Sequence, residues 1–367
     1  MQGYRKTETC REEFAEKKLG ELEQDNDMIY ELKDLSKVEP LFGDWVLPEL
    51  KDWDGLTIRI FVTDPDAPRS AMLFDDDEGE FFAGEPNREL VQSKQAKEVA
   101  LMAKEEAWEP LIEECYPEAE RITRYAIHRC RDFDREKLQS FVGALPSGYE
   151  IKRIDSEIYD LCLKVTDADL EDLVGDFETK EEFLEKGRGF VVLKDGKVVA
   201  GASSAHCYCD GIEVEIDTDR AERRKGLASA VGAKLILSCL DDGLEPRWDA
   251  ATLISVHLAE KLGYRFDQEY AYYWVNEAQD LLIKDPDKSR WPDYCGDYET
   301  LCDAFRLKKV WMQDGDLYGI ASNEVRDDFT FKLLPIGENR FGRAGGSVII
   351  DFGENSLVID GITCKKL

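Results

Sequence analysis

Residues Glu213–Ala228 read EVEIDTDRAERRKGLA, a stretch that predicts a strand, a turn and the start of a helix. Apolar and acidic residues alternate up to Ile216, as they do in a strand with one buried face. Gly226 then stands where the chain enters a helix. A helix that begins this way presents free N–H groups at its N-terminus, where the helix dipole also favours negative charge.

Four cations lie within six residues of this turn, at Arg220, Arg223, Arg224 and Lys225, although the whole chain carries a net charge of −31. Cations next to a free helix N-terminus suit a pyrophosphate. An exposed helix that merely begins with basic residues is the alternative. The strand before the turn and the very apolar helix after it favour the anion-binding site.

Composition limits the possible partners. The chain has 367 residues, with 48 basic and 79 acidic, which predicts two or three domains and a surface that repels nucleic acids and anionic membranes. Residues 1–30 contain no secretory signal, and no apolar run is long enough to span a membrane. Ten cysteines without framework spacing and three histidines predict reduced thiols, no metal site and a cytoplasmic protein.

The composition and the predicted helices, strands and turns divide the chain into five segments. We predict a helical stretch from Pro86 to about Cys115, and further helices at Asp160–Leu173 and Thr179–Lys186. Many short strands separated by turns predict a small antiparallel barrel or sandwich at the C-terminus. The predicted segments are a charged extension (1–33), an α/β domain (34–140), a central domain (141–276), a linker (277–291) and an antiparallel β domain (292–367).

The region that follows the turn predicts two helices and a strand. The first helix runs from about Gly226 to Leu240 and is apolar on nearly every side, so it should be sandwiched against a sheet. The second runs over Thr252–Leu262 and ends at Gly263. Strand Tyr264–Val275 comes next.

Residues 189–266 resemble the GNAT superfamily of acyl-CoA N-acyltransferases. Arg223–Ala228 matches the family's Arg/Gln-x-x-Gly-x-Gly/Ala pyrophosphate loop, and Ser255–Tyr264 resembles its following helix and Gly-aromatic strand start. The resemblance implies an α/β (α+β) fold with a GNAT-type mixed central sheet flanked by helices. It also implies acetyl-CoA as cosubstrate and a small-molecule amine as acceptor.

Three further stretches, Gly201–Ser204, Glu213–Thr218 and Trp248–Ala251, resemble the subgroup that includes the zwittermicin A resistance acetyltransferase. That likeness extends back over Asp66–Leu73 and covers roughly residues 30–275. The segment after it, with Tyr294-Cys-Gly-Asp-Tyr298 and later short strands, resembles the small β domain that follows β-lactamase-like domains; packing, lid formation and dimer contact are its open roles.

The resemblance assigns roles to individual residues. Backbone N–H groups at the end of the strand would hold the pantetheine and the thioester carbonyl. Glu213 and Glu215 lie on one face of that strand and are the candidate bases, with a solvated strand face as the equal alternative; His206 and His257 are weaker candidates. The implied acetyl-CoA contacts are Ile216, Asp217, Thr218, Arg223, Arg224, Lys225, Gly226, Leu227, Ala228, Ser229 and Ser255.

Two positions depart from the family pattern. Thr252 stands where many members have Asn. Ala259 stands where many members have a Tyr that protonates the departing thiolate, so either a nearby tyrosine (Tyr264, Tyr270, Tyr272 or Tyr273) or water replaces it. The sequence therefore predicts an N-acetyltransferase, possible as a homodimer, with a catalytically silent acyl-CoA-binding module as the alternative.

Overall fold

The computed structural model describes residues 29–43, 45, 58–76, 79–165, 170, 172–177, 179–299, 305–322, 328–344, 348–359 and 362–367. The predicted extension at 1–33 lies almost entirely outside this set. None of the helices in the described part of the chain combines the length and the apolarity needed to cross a bilayer.

An eight-stranded sheet dominates the N-terminal half. Its strands are β1 (Tyr30–Leu32), β2 (Ile58–Val62), β3 (Ser70–Asp75), β4 (Gly79–Gly84), β5 (Val99–Ala103), β6 (Glu120–Ile127), β12 (Asp249–Ala250) and β13 (Phe266–Val275). They lie in the order β1-β2-β3-β4-β5-β13-β6-β12, with β4 and β5 parallel. Short helices cover this sheet: α1 (Glu39–Phe42), α2 (Arg88–Gln92) and α3 (Glu109–Cys115).

A five-stranded sheet forms the centre of the chain. It consists of β7 (Tyr149–Arg153), β8 (Gly189–Lys194), β9 (Lys197–Tyr208), β10 (Gly211–Thr218) and β11 (Glu245–Arg247). The order is β11-β10-β9-β8-β7, and only β10 and β11 run parallel to each other.

Helices cover both faces of this second sheet. One face carries α5 (Ser156–Cys162), α6 (Asp172–Gly175) and α7 (Lys180–Lys186), and the other carries α4 (Arg135–Gly143), α8 (Leu227–Asp241) and α9 (Leu253–Leu262). The sandwiched helix predicted from Gly226 is confirmed as α8, with ten of its 15 residues buried. It packs closely because Gly232 lacks a side chain: a Cβ there would lie 3.0 Å from Ile216 Cδ1.

The C-terminal segment is a closed barrel of eight strands, which confirms the predicted fold class. Two short helices, α10 (Glu277–Asp280) and α11 (Trp291–Tyr294), precede it within and just after the predicted linker. The barrel strands are β14 (Gly296–Glu299), β15 (Arg306–Gln313), β16 (Asp316–Ser322), β17 (Phe329–Pro335), β18 (Arg340–Arg343), β19 (Ile349–Phe352), β20 (Ser356–Ile359) and β21 (Ile362–Lys366).

The long helix predicted from Pro86 to about Cys115 is wrong in its middle. α2 ends at Gln92, and Val99–Ala103 is strand β5 rather than helix. Four of the five β5 residues are buried, because this strand is covered on both faces. Such a strand has no alternation of polar and apolar residues, so its pattern does not separate it from a buried helix.

The helix predicted at Asp160–Leu173 is also wrong in part. α5 begins earlier, after Asp155, whose carboxylate accepts hydrogen bonds from the backbone N–H groups of Glu157 and Ile158, and it ends at Cys162. α6 is a separate turn, and residues 166–169 and 171 lie outside the described set. The helices starting after Thr179 and Thr252 are confirmed, and each threonine side chain caps its helix.

One strand joins the two α/β segments. β6, from the predicted domain 34–140, lies between β12 and β13, which both come from the segment 141–276. The eight-stranded sheet therefore takes strands from both sides of residue 140. The predicted domain boundaries remain a prediction. Segments 34–140 and 141–276 share one sheet.

Candidate functional site

Strands β10 and β11 diverge after a short parallel contact. They pair only from Gly211 opposite Glu245 to Glu213 opposite Arg247. β10 then continues beside β9 to Thr218, whereas the chain after β11 passes into β12 of the other sheet. Beyond Glu213, none of the described strands pairs with this edge of β10, and we call the space between this edge and β12 the opening.

Two backbone N–H groups of β10 are bonded to carboxylates of the same strand. The N–H of Ile216 donates to Glu215 Oε1 at 3.0 Å, and the N–H of Thr218 donates to Asp217 Oδ1 at 2.7 Å. A strand N–H that faces a neighbouring strand normally bonds to that strand's carbonyl. These two N–H groups are therefore available to a ligand that displaces the carboxylates.

The turn between β10 and α8 forms an open helix N-terminus. Arg224 and Gly226 both have left-handed backbone angles, with φ of 66° and 84°. No side chain caps α8, and the first helical hydrogen bond runs from Ala230 N–H to Gly226 C=O. A Cβ built on Gly226 meets nothing within 4 Å. Successive N–H groups in such a turn form a concave anion-binding site.

Arg223 and Lys225 are exposed, but neighbouring groups of the chain hold both side chains. Arg223 Nε donates to the carbonyl of Thr218 at 2.9 Å, and its guanidinium lies 3.6 Å from Asp217. Lys225 Nζ lies 2.6 Å from Glu222. Arg224 is exposed. Of these predicted contacts to acetyl-CoA, Arg224 has the side chain that most readily reaches a phosphate.

Glu222 holds the turn through three hydrogen bonds, a role that sequence reasoning missed. Its carboxylate receives hydrogen bonds from Lys194 at 2.8 Å, from Lys225, and from the hydroxyl of Tyr149. These hydrogen bonds lower the pKa of Glu222 to about 2. Glu222 therefore stays ionised at neutral pH and anchors the turn that precedes α8.

Three hydroxyls near the turn differ in their contacts. Thr218 Oγ1 is buried and has no hydrogen-bond partner among the described residues. Ser229 Oγ accepts from Lys261 Nζ at 2.7 Å, and Ser255 Oγ accepts from the indole N–H of Trp248 at 3.0 Å. A buried polar atom without a partner costs free energy, so Thr218 is the hydroxyl that a bound ligand would stabilise most.

Glu215 is the carboxylate best suited to accept a proton at neutral pH. Burial, followed by the negative charges of Asp217, Asp172 and Asp176, raises its pKa to about 7. Asp172 belongs to α6 and Asp176 follows it. These two aspartates were missed by sequence reasoning, since only the packing of α6 on the sheet brings them near β10.

Glu213 has a structural partner. Its Oε1 accepts from the backbone N–H of Asp249 at 2.8 Å, directly beyond the point where β10 and β11 separate. This hydrogen bond ties β10 to β12 at the closed end of the opening. The structure thus separates two residues that the sequence left as equal candidates.

Of the tyrosines near Ala259, Tyr264 is inaccessible. It is buried, and its hydroxyl donates to the carbonyl of Pro246 at 3.0 Å. Ala259 is itself fully buried against the helices and sheet. Tyr264 therefore does not replace the missing side chain.

The other tyrosines belong to β13. Tyr273 donates to Glu113 Oε1 at 2.9 Å, away from the opening. Tyr270 donates to Asp249 Oδ2 at 2.9 Å, and burial raises the pKa of Tyr270. Because Asp249 belongs to β12, which borders the opening, the hydroxyl of Tyr270 is connected to this border by one hydrogen bond.

Comparison with known proteins places this geometry in a family. The model of the GNAT acetyltransferase family matches residues 39–273, which is well over half of the chain. The chain belongs to the GNAT acetyltransferase family. The predicted family resemblance is confirmed, while the zwittermicin A subgroup and the β-lactamase-like accessory domain remain predictions.

Two GNAT relatives are informative. A GCN5-related N-acetyltransferase-like protein from Streptococcus suis is 41% identical, with a TM-score of 0.55; the match covers 65% of this chain and 98% of that one. The uncharacterized N-acetyltransferase YdfB of Bacillus subtilis is 26% identical over 228 residues, which cover 59% of this chain and 84% of that protein. Neither name specifies an acceptor.

Proposed function

We propose that this chain is an N-acetyltransferase that transfers an acetyl group from acetyl-CoA to the primary amine of a small molecule. The observation that carries the proposal is the opening between β10 and β12 beside the uncapped N-terminus of α8. Family membership makes acyl transfer the expected chemistry.

The residues present fit acetyl-CoA. The N–H groups from Lys225 to Ala228, together with Arg224, suit the pyrophosphate. The N–H groups of Ile216 and Thr218 suit the amide and thioester carbonyls of the pantetheine arm, in place of the carboxylates that they contact without ligand. We propose no hydrogen bond to the ligand for three other predicted acetyl-CoA contacts, Leu227, Ser229 and Ser255.

Glu215 is the proposed base. An amine must be neutral to attack a thioester, and a base with a pKa of about 7 accepts a proton at neutral pH while remaining substantially ionised. Ile216 N–H gives up its bond to Glu215 when it binds the pantetheine arm. The freed carboxylate can then accept a proton from the bound ammonium.

Water is the proposed proton donor to the departing thiolate, since Ala259 supplies no acid. Tyr270 is the tyrosine alternative because it lies beside Asp249. A thiolate is a moderately stable leaving group, so the reaction does not need a strong acid.

We propose that the enzyme is cytoplasmic, and the free thiols of the described cysteines support this location.

The test is to incubate the protein with acetyl-CoA and a panel of primary amines while following free thiol and the mass of the amine product. We expect thiol release to depend on the amine and to match acetylated product. Acetyl-CoA binding in calorimetry without turnover on any amine would favour the silent binding module. No binding at millimolar acetyl-CoA would contradict both.

A further inference from the structure

A carboxylate-rich surface lies on the β9–β10 face beneath α6. Gly201 of β9 makes the close approach of α6 possible, because a Cβ there would lie 2.3 Å from Leu173 Cδ1. The helix consequently places Asp172 on the sheet face that carries Glu215, and Asp176 follows on the next turn. Both aspartates are exposed at the edge of the face.

A buried hydroxyl group that makes no hydrogen bond to the described residues lies on the same face. Ser203 stands directly opposite Glu215 across the β9–β10 pair, and opposite residues of an antiparallel pair project to the same side. Ser203 is fully buried, and its Oγ has no hydrogen-bond partner among the described residues. This second observation, independent of the carboxylates, indicates a position where a ligand can donate a hydrogen bond to Ser203 Oγ.

The charges that act on Glu215 come from two elements. β10 contributes Asp217, and α6 and the residue after it contribute Asp172 and Asp176. His206 of β9 acts on Asp176. Arg223 lies 3.6 Å from Asp217, at the end nearest the proposed pyrophosphate site. Negative charge therefore dominates the part of the face away from that site.

We propose that the acceptor is a diamine-type molecule: Glu215 takes the proton of the reacting amine, and Asp172 and Asp176 hold a second, permanently protonated amine a few carbon atoms away. Ser203 Oγ accepts a hydrogen bond from the nitrogen beside Glu215. The inference rests on the proposed function and names its substrate class. A monoamine satisfies only one of these two positions.

The chemistry balances without a further reactant. The reacting ammonium loses one proton to Glu215, and its nitrogen forms a bond to the thioester carbonyl carbon. The carbon–sulfur bond then breaks, the nitrogen loses a second proton, and the thiolate gains one. Diamine dication and acetyl-CoA thus give monoacetylated monocation, CoA thiol and one released proton, with the distal ammonium unchanged.

The experiment compares 1,5-diaminopentane with pentylamine and 5-aminopentan-1-ol, using the full chain, acetyl-CoA and thiol detection at pH 8. We expect kcat/KM for the diamine to be on the order of tenfold or more above both monoamines, and the ratio to fall at high salt. In the double variant Asp172→Asn/Asp176→Asn, this ratio should fall toward one.

A matched control removes two carboxylates elsewhere. Glu150→Gln/Asp195→Asn changes the net charge equally at two exposed positions of β7 and the β8–β9 turn, and it should keep the wild-type ratio. Circular dichroism checks that both double variants fold. If the aspartate variant does not fold, the wild-type ratio and its salt dependence decide the question.

Failure of this inference differs from failure of the proposed function. Equal turnover of diamine and monoamines would overturn the diamine site and leave the acetyltransferase intact. If no amine turns over, titration of 1,5-diaminopentane and pentylamine into the protein with CoA bound decides the matter: no preference for the diamine overturns the inference.

Discussion

Glu215 shows how one residue's surroundings can set the pH range of the reaction. Burial and three neighbouring carboxylates raise its pKa to about 7, whereas Glu213 is bonded to a backbone N–H. We expect kcat/KM to rise as pH increases through about 7, because the base must be ionised. A pH–rate profile measures this, and a flat profile between pH 6 and 8 would contradict the assignment.

Substitution separates the two glutamates. Glu215→Gln should lower kcat by roughly 10²–10⁴-fold and remove the rise near pH 7, since the amide is not a base. Glu213→Gln is the matched control, because its amide oxygen can still accept from Asp249 N–H, and it should retain most activity. The reverse order of the two variants would assign the base to Glu213.

Ionisation of Glu215 should lower the free energy of unfolding at neutral and higher pH. The pKa of Glu215 is higher in the folded chain than in the unfolded one, so stability falls as pH rises from about 4.5 through about 7. At pH 8 the cost is at most about 3.5 kcal/mol, from about 1.4 kcal/mol per pKa unit over the shift from 4.5 to about 7. Glu215→Gln should therefore unfold at higher temperature than wild type at pH 8 and near the wild-type temperature at pH 4.5. An equal difference at both pH values would contradict this.

Among the elements, the β10–turn–α8 unit was predictable and β5 was not. Alternation up to Ile216, basic residues and Gly226 are local signals, and they predicted the strand, the turn and the apolar helix. β5 is covered on both faces, so its sequence carries no period. The positions of Asp172 and Ser203 relative to the base also escaped prediction, because they depend on the packing of α6 on β9 and on the β9–β10 register.

The turn offers a sharp test of anion binding. Gly226→Val forces a β-branched residue into φ of 84° and should weaken acetyl-CoA binding at least tenfold by distorting the N–H groups. Gly196→Val is the control, since Gly196 has φ of 78° in the β8–β9 turn and equally open surroundings. Calorimetric titration of acetyl-CoA measures both, and equal loss of affinity would mean that general strain, not the site, is responsible.

At the scale of the whole molecule, β6 makes the two α/β segments interdependent. A fragment of residues 141–276 should fail to fold, because β12 and β13 lose the strand between them. A fragment of residues 1–290 keeps β6 and removes only α11 and the barrel, and it should fold and bind acetyl-CoA. Circular dichroism and thermal melting compare them, and cooperative unfolding of the 141–276 fragment would contradict the prediction.

Several described residues of the barrel contact the rest of the molecule around α10. Asn276 Nδ2 donates to the carbonyl of Arg343 at 3.2 Å, Lys332 pairs with Glu118, and Gly342 packs against Ala278. These contacts lie around α10 rather than at the opening between β10 and β12. The fragment of residues 1–290 therefore loses no residue assigned to acetyl transfer.

A structure with acetyl-CoA bound tests the central claim most directly. We expect the pyrophosphate within about 3 Å of the N–H groups between Lys225 and Ala228, as hydrogen bonds require. The pantetheine arm should lie along β10, with the thioester beside Ile216 and facing Glu215. Acetyl-CoA bound elsewhere, or with its thioester remote from Glu215, would contradict the account.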